Sequence, residues 1–513
     1  WLGIFISQPI NLASADLGRH LKNGEIFLKD FAIAKTNLYS YTHPDYPFVN
    51  HHWGSGVVFH LVWKLSGFSG LSFFYVTLIL LTFFIFFETS RKNSSLAITI
   101  PAAILVIPLI GERTEIRPEV FSYFFSAIFF WILWNYHKGK ISHYWLFILP
   151  FLEIIWVNFH IYFILGFMFI GAFWLEELMY HSKLITKIFV REVLKDYQKF
   201  KKLSLVFFLT VFSSFLNPFG TTAVIYPFNI FRNYGYRVLE NQSIWFIERL
   251  GIVPNPNYLL YKIIVLLLAI SFVFLFLTNR RRFSLSFLGI SFLLSVMAGM
   301  AIRNFTLFGF VIFPIISYNI TYSLIKKINF EDLNLKLAAI IATIGIFSYS
   351  FWQNSQKVFL NSNTSFGLYA GMNAAADFFK AQEIQGPIFN DYDIGGYLIY
   401  HLYPAQKVFV DNRPEAYPAS FFEKIYIPMQ EDNEIWNKVD SKYDFNAIFF
   451  YTRDATPWGQ NFLVNRIDDP SWAPVFADQH AVIFLRRNDQ NKNIIGKYEI
   501  PRNNFKITRT GRS

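Results

Sequence analysis

The chain has 513 residues, 53% hydrophobic and 20% aromatic, with only 16% charged and a mean hydropathy of +0.32. An ordinary soluble domain carries about 25% charge, so the composition excludes a wholly soluble chain. The net charge of +11 reads as basic loops on the cytoplasmic side of a membrane, not as a nucleic-acid surface, since no Lys/Arg stripe lies on a soluble fold. The absence of cysteine removes disulfides, thiolate chemistry and Cys-ligated zinc or iron–sulfur centres.

The opening run, 1–15, falls short of the ~20 residues that span a bilayer. It reads as the end of a first membrane helix that begins upstream of Trp1. Apolar runs follow at 70–89, 96–110, 119–136, 143–159, 161–179, 204–217, 259–278, 283–300, 304–323 and 336–353. Together they predict a polytopic α-helical membrane protein with about eleven transmembrane helices. With the 15–69 loop placed outside, one alternation puts every basic loop inside. These are Arg91-Lys92, Lys138 with Lys140, the stretch from Lys183 through Arg191 and Lys195 to Lys202, Arg280 to Arg282, and Lys326-Lys327. The predicted location is the cell (inner) membrane, multi-pass.

Two regions result. Residues 1–353 form a transmembrane domain whose first extracytoplasmic loop is 15–69. Residues 354–513 form an extracytoplasmic α/β domain, a usual size for one domain. In it, Pro387–Asn390, Lys407–Val410, Ala447–Tyr451 and Ala481–Leu485 read as strands, with helices around 369–382, 395–402, 419–429 and 459–467.

Polar residues cluster on the outer side. Asp16 follows the first membrane segment directly and is either a helix cap or a carboxylate held at the membrane surface as base or metal ligand. Leu17, Leu21 and Leu28 suit a helix lying flat on the interface. His51-His52-Trp53 offers imidazoles that bind metal, polarise a phosphate or shuttle a proton, or an aromatic belt with bystander rings. Adjacent histidines seldom point the same way, so one at most is expected in a site. The loop Gly111–Glu119 holds five charges between two apolar runs, where an ionisable side chain costs roughly 2.5–3.5 kcal/mol. It is a salt-bridged loop or a phosphate clamp, with Arg113 and Arg117 as candidate guanidiniums. His160 and Arg303 stand at helix mouths on the same side. The tail adds Asn390-Asp391-Tyr392-Asp393 and Asp411-Asn412-Arg413, both strand-then-polar-turn patterns of the kind that bind ligands in α/β folds. There is no Walker, GxSxG or HExxH motif.

The pattern Asp16…His20…Gly24-Glu25, Tyr39-Ser40-Tyr41-Thr42, Val49-Asn50-His51, Arg117-Pro118, Asn158-Phe159-His160, Asn217-Pro218 and Gly395-Gly396-Tyr397…Asp411…Arg413 resembles the GT-C superfamily of membrane glycosyltransferases. These are polyprenyl-phosphate-sugar-dependent enzymes such as protein O-mannosyltransferases and lipopolysaccharide-core transferases, and the likeness is greatest to an uncharacterised bacterial branch. The resemblance spans nearly the whole chain. It implies an inverting transfer of a sugar from a polyprenyl-phosphate donor to an extracytoplasmic glycan, lipid or protein acceptor. Asp16 takes the catalytic role, and His20, His51, His52, Arg113, Arg117, His160 and Arg303 bind substrate. No second acidic residue follows Asp16, and His52 stands where an acidic residue is expected after the loop histidine. The paired-carboxylate motif is therefore absent. No metal ligand is assigned and no cofactor is called for; a divalent metal has no motif behind it. The competing class is a transporter or flippase of a lipid-linked or anionic substrate. Against it, there is no inverted repeat and no matched pair of broken helices.

Overall fold

The structure, a computed structural model, describes residues 1–189, 197–231, 233–251, 255–324, 333–355 and 365–505. Arg191, Lys195, Lys326 and Lys327, which the orientation argument uses, lie outside these ranges. The chain divides into two compact units, neither continuous in sequence. The first comprises Trp1–Pro9, Ser72–Phe228 and Val238–Phe366. The second comprises Ile10–Leu71, Asn229–Arg237 and Gly367–Ser513, so most of the long first loop belongs with the C-terminal residues.

The first unit is helical, with helices at the predicted apolar runs. Among the described residues four helical stretches are long and apolar enough to cross a membrane: Ile161–Met179, Pro256–Thr278, Ile302–Leu324 and Trp53–Arg91, the last kinked at Gly67 and shared between the two units. Shorter apolar helices include Leu96–Ile110, His143–Phe159 and Leu285–Met300. Pro256–Thr278 exposes Leu259, Ile263, Leu266, Ile270, Val273 and Leu277 at spacings of three and four. A continuous apolar stripe of that length is a lipid-facing surface. Phe305–Leu324 is instead buried nearly all round, as a helix apolar on every face must be. Gly309 lets it approach Leu96–Ile110, because a Cβ there would stand 2.9 Å from the Ile110 side chain. Trp134, in the helix Glu119–His137, packs on Phe287 of Leu285–Met300 (ring centroids 4.3 Å apart) and edge-on against Tyr318 of Phe305–Leu324 (5.6 Å), joining these three helices.

The second unit carries a four-stranded sheet of β1 (Ile388–Asn390), β2 (Ala447–Tyr451), β3 (Trp472–Ala477) and β4 (Ala481–Arg486), in the order β1-β2-β4-β3. β1 and β2 are parallel; the other two pairings are antiparallel. Helices Ala374–Ala381, Gly395–Leu402, Asn433–Tyr443 and Pro457–Asp468 accompany it. Its core is aromatic, built from Phe389, Trp436, Phe445, Phe450, Phe462 and Trp472.

Three local expectations change. The predicted strand at 407–410 does not join the sheet. Its backbone pairs with the first loop, Val408 N–H donating to the Tyr39 carbonyl (3.1 Å) and Tyr41 N–H to the Val408 carbonyl (3.2 Å). An apolar run marks a buried extended segment but not its partner. β3 is additional: Pro474 argues against a strand, yet β3 is an edge strand with an irregularity between Pro474 and Phe476, where proline is tolerated. Finally, Leu17 and Leu21 are buried within the second unit, and only Leu28 of the three is exposed.

Candidate functional site

The sequence-predicted residues fall into two clusters, one in each unit. Asp16, His20, His51 and His52 belong to the second; Arg113, Arg117, His160 and Arg303 belong to the first.

In the second unit Asp16 immediately precedes the helix Leu17–Asp30, at the N-cap position. A capping aspartate accepts a backbone N–H from the first turn, but the Asp16 side chain makes no such bond. Its Oδ2 lies 3.4 Å from Arg19 Nη2 and 3.4 Å from His20 Nε2. His20 is fully buried, and its ring meets the His52 ring edge-on at 5.4 Å. The His51 and His52 rings lie 3.9 Å apart, with His51 Nδ1 3.0 Å from the Val49 carbonyl. Chain adjacency therefore does not splay the two imidazoles. One carboxylate, one guanidinium and three imidazoles form a single group at the start of this helix, suited to taking up and passing on a proton.

Glycines hold this helix in place. A Cβ at Gly18 would stand 2.5 Å from the Gly396 carbonyl oxygen, and one at Gly396 would stand 3.1 Å from the Ala15 carbonyl oxygen. A Cβ at Gly56 would stand 2.8 Å from the His20 carbonyl oxygen. Beneath lies a buried polar chain. Tyr39 Oη donates to Asn23 Oδ1 (2.6 Å), and the Tyr39 ring sits under the Arg413 guanidinium, which also covers Phe48 at 4.5 Å. Arg413 forks onto both oxygens of Asp411 (2.6 Å each) and donates to Asn37 Oδ1 (2.6 Å). Burial opposes the charge on Arg413, but Asp411 outweighs it and holds the guanidinium well above its usual range. A bidentate buried pair of this kind fixes orientation. Asp391 serves the turn after β1, accepting the backbone N–H groups of Asp393, Ile394 and, at 2.7 Å, Tyr451. Burial, with Asp454 and Asp393 nearby, pushes its carboxyl well above the usual carboxylate range.

In the first unit the charged loop is internally paired and largely buried. Glu119 opens the helix Glu119–His137, where a carboxylate complements the helix dipole. It accepts from Arg113 Nη2 (2.9 Å) and from Arg303. Glu240 accepts from Arg113 Nη1 (2.5 Å) and Arg117 Nη1 (2.9 Å). Glu115 takes the remaining face of Arg117, and Arg303 Nη1 donates to Asn241 Oδ1 (2.8 Å). Burial alone would raise the Glu240 carboxyl; Arg113, Arg117 and Arg303 outweigh it and bring it down to about 2. Arg303 Nε and Glu119 Oε2 are buried with no hydrogen-bond partner among the described residues. Three guanidiniums thus meet three carboxylates, and an incoming anion must compete with them. His160 is positioned by Ser122, whose Oγ lies 2.8 Å from His160 Nδ1 and accepts from Trp156 Nε1 (2.7 Å). Tyr162 Oη donates to Asn304 Oδ1 (2.5 Å) beside it.

Sequence reasoning missed Glu240, Asn241, Arg19 and the glycine contacts. Nothing in the sequence around Glu240 marks its partners, which lie more than a hundred positions away. Among the described residues no group of three or more His, Asp or Glu is arranged to hold a metal ion.

With its apolar helices and its C-terminal α/β region, the fold is similar over nearly the whole chain to that of solved archaeal membrane oligosaccharyltransferases. Solved structures of the oligosaccharyltransferase of Archaeoglobus fulgidus have this fold. The form tethered with an acceptor peptide containing the NVT sequon aligns with TM-score 0.55 and 11% identity, over 94% of this chain and 71% of that one. AglB from the same organism, in complex with an inhibitory peptide and a dolichol-phosphate, gives TM-score 0.54 and 9% identity over the same shares. The apo form gives 0.51 and 10%. No protein-family model and no curated protein matches the chain.

Proposed function

We propose that this chain is an integral membrane glycosyltransferase that moves a sugar from a polyprenyl-phosphate donor to an acceptor outside the cytoplasm, with inversion at the anomeric carbon. The observation that carries the reading is the oligosaccharyltransferase-like fold over 94% of the chain. The full set of about eleven spans, the inner-membrane location and the outward-facing C-terminal region belong to the same proposal. Asp16 accepts the proton of the attacking acceptor group as its bond to the sugar forms and the bond to the phosphate oxygen breaks. Its carboxylate is not used as a cap, and Arg19 and His20 orient it. His51 and His52 extend the imidazole group. A peptide is one acceptor to try, since the neighbours' complexes contain one; glycans and lipids are the others.

The test uses membranes containing the chain and a radiolabelled polyprenyl-phosphate sugar. Chain-dependent label in protein, glycan or lipid supports the proposal and names the acceptor. Chain-dependent movement of the labelled lipid across the bilayer, with no label transferred, selects the transporter reading instead.

A further inference from the structure

A cavity of about 210 Å³ opens within the second unit, on the side of the helix Leu17–Asp30 that carries Leu21, Lys22 and Glu25. It lies against the helix Gly395–Leu402, which supplies Tyr400 and His401, and against His60 and Trp63. Lys380, itself exposed, also lines it. None of these residues has a role in the transfer proposed above.

Two aromatic walls bound the space. Trp63 and Tyr400 meet edge-on at 5.9 Å, and the His60 ring packs against Trp63 at 5.4 Å. His60 is itself fixed, its Nδ1 3.1 Å from the Leu21 carbonyl. Lys22 Nζ is paired with Glu25 at 2.7 Å, and that carboxylate is half-exposed. Lys380 has no carboxylate at ion-pair distance among the described residues, and His401 Nε2 is buried with no hydrogen-bond partner there. Two ammonium groups against one outlying carboxylate leave an excess of positive charge. An imidazole nitrogen buried without a partner is a group that awaits one.

We propose that this cavity is a second binding site, and that it takes a phosphate group, with Lys380, Lys22 and the His401 ring as its donors. Lysine binds phosphate as a point charge with three donors. The cavity has room for a phosphate and its first ester carbons. Beside Trp63, Leu61 and Leu65 are exposed, the latter at 86%. Tryptophan beside exposed leucine is the pattern of a membrane interface. The phosphate therefore comes from a lipid headgroup or from solution. Burial, with Lys380 and Lys22 nearby, lowers the His401 ring to about 3. An anion seated between the ammonium groups cancels that repulsion and raises it; Glu25, His60 and Tyr400 are the other titratable groups facing the space.

The full chain, in nanodiscs of phosphatidylcholine, is titrated with inorganic phosphate in one arm and dioctanoyl phosphatidylglycerol in the other. The readout is the His401 imidazole signal, assigned by its loss in His401→Phe. The expected result is a saturable rise of the His401 titration midpoint in at least one arm. Lys380→Gln should weaken binding about tenfold, the size of one charge-assisted hydrogen bond, and Lys380→Arg should retain it. Response to the lipid alone assigns the headgroup; response to both assigns a soluble phosphate. No saturable shift in either arm, or equal affinity in Lys380→Gln, overturns the proposal and leaves the transfer reading untouched.

Discussion

Gly18 and Gly396 touch backbone to backbone: a Cβ on Gly18 would stand 2.5 Å from the Gly396 carbonyl oxygen and 2.9 Å from the Tyr400 Cβ. This contact seats the helix that begins beside Asp16 on the helix Gly395–Leu402. Gly18→Ala should therefore force a shift in the backbone, at a cost of roughly 1–3 kcal/mol, the range for overpacking. Thermal unfolding in detergent should show a lowered midpoint, with transfer lost alongside. Gly289→Ala is the control, since open space surrounds a Cβ there.

The arginine cluster predicts a second outcome. Glu240→Gln keeps the shape but removes the charge that Arg113 and Arg117 share. Removing one partner of a hydrogen-bonded charge pair costs on the order of 1–3 kcal/mol. A fall in unfolding midpoint is expected, together with a gain in affinity for anions such as pyrophosphate, read by isothermal titration. Unchanged stability would show that the pairing is idle.

His401 gives a pH prediction. Its ring titrates near 3 in the folded chain against 6.5 when unfolded, so the unfolded chain binds more protons between those values. The stability that a neutral ring confers is complete above 6.5 and is lost as pH falls toward 3, at up to about 1.4 kcal/mol per pH unit. His401→Phe keeps an aromatic ring beside Tyr397 and Tyr400 and should flatten the fall in unfolding midpoint between pH 6.5 and 4.5, followed by tryptophan fluorescence.

The helices of the first unit were legible because spanning length and apolarity are local properties. The runs at 96–110, 161–179 and 259–278 coincide with helices to within a few residues. What the sequence hid was pairing. Nothing around Val408 says that it bonds the first loop, and nothing around Glu240 says that it bridges Arg113 and Arg117. These contacts join residues more than a hundred positions apart. Nothing around Gly18 says that it meets Gly396. Asp16 was legible as a candidate, yet its choice between cap and carboxylate needed coordinates.

Topology has its own test. With basic loops inside, a phosphatase fusion at residue 360 should be active and one at residue 195 silent. A cytoplasmic reporter should give the opposite result. Cytoplasmic reporter activity at 360 would place the second unit's cluster on the wrong side for a donor in the outer leaflet.

The most direct measurement is transfer from a polyprenyl-phosphate sugar by Asp16→Asn in membranes. Asparagine caps a helix as well as aspartate and fits the same space beside Arg19 and His20, but it cannot take a proton. Loss of a general base costs roughly 10²–10⁴-fold in rate. The account predicts a loss of that size with an unchanged unfolding midpoint. Transfer near the wild-type rate by a folded Asp16→Asn chain would contradict it.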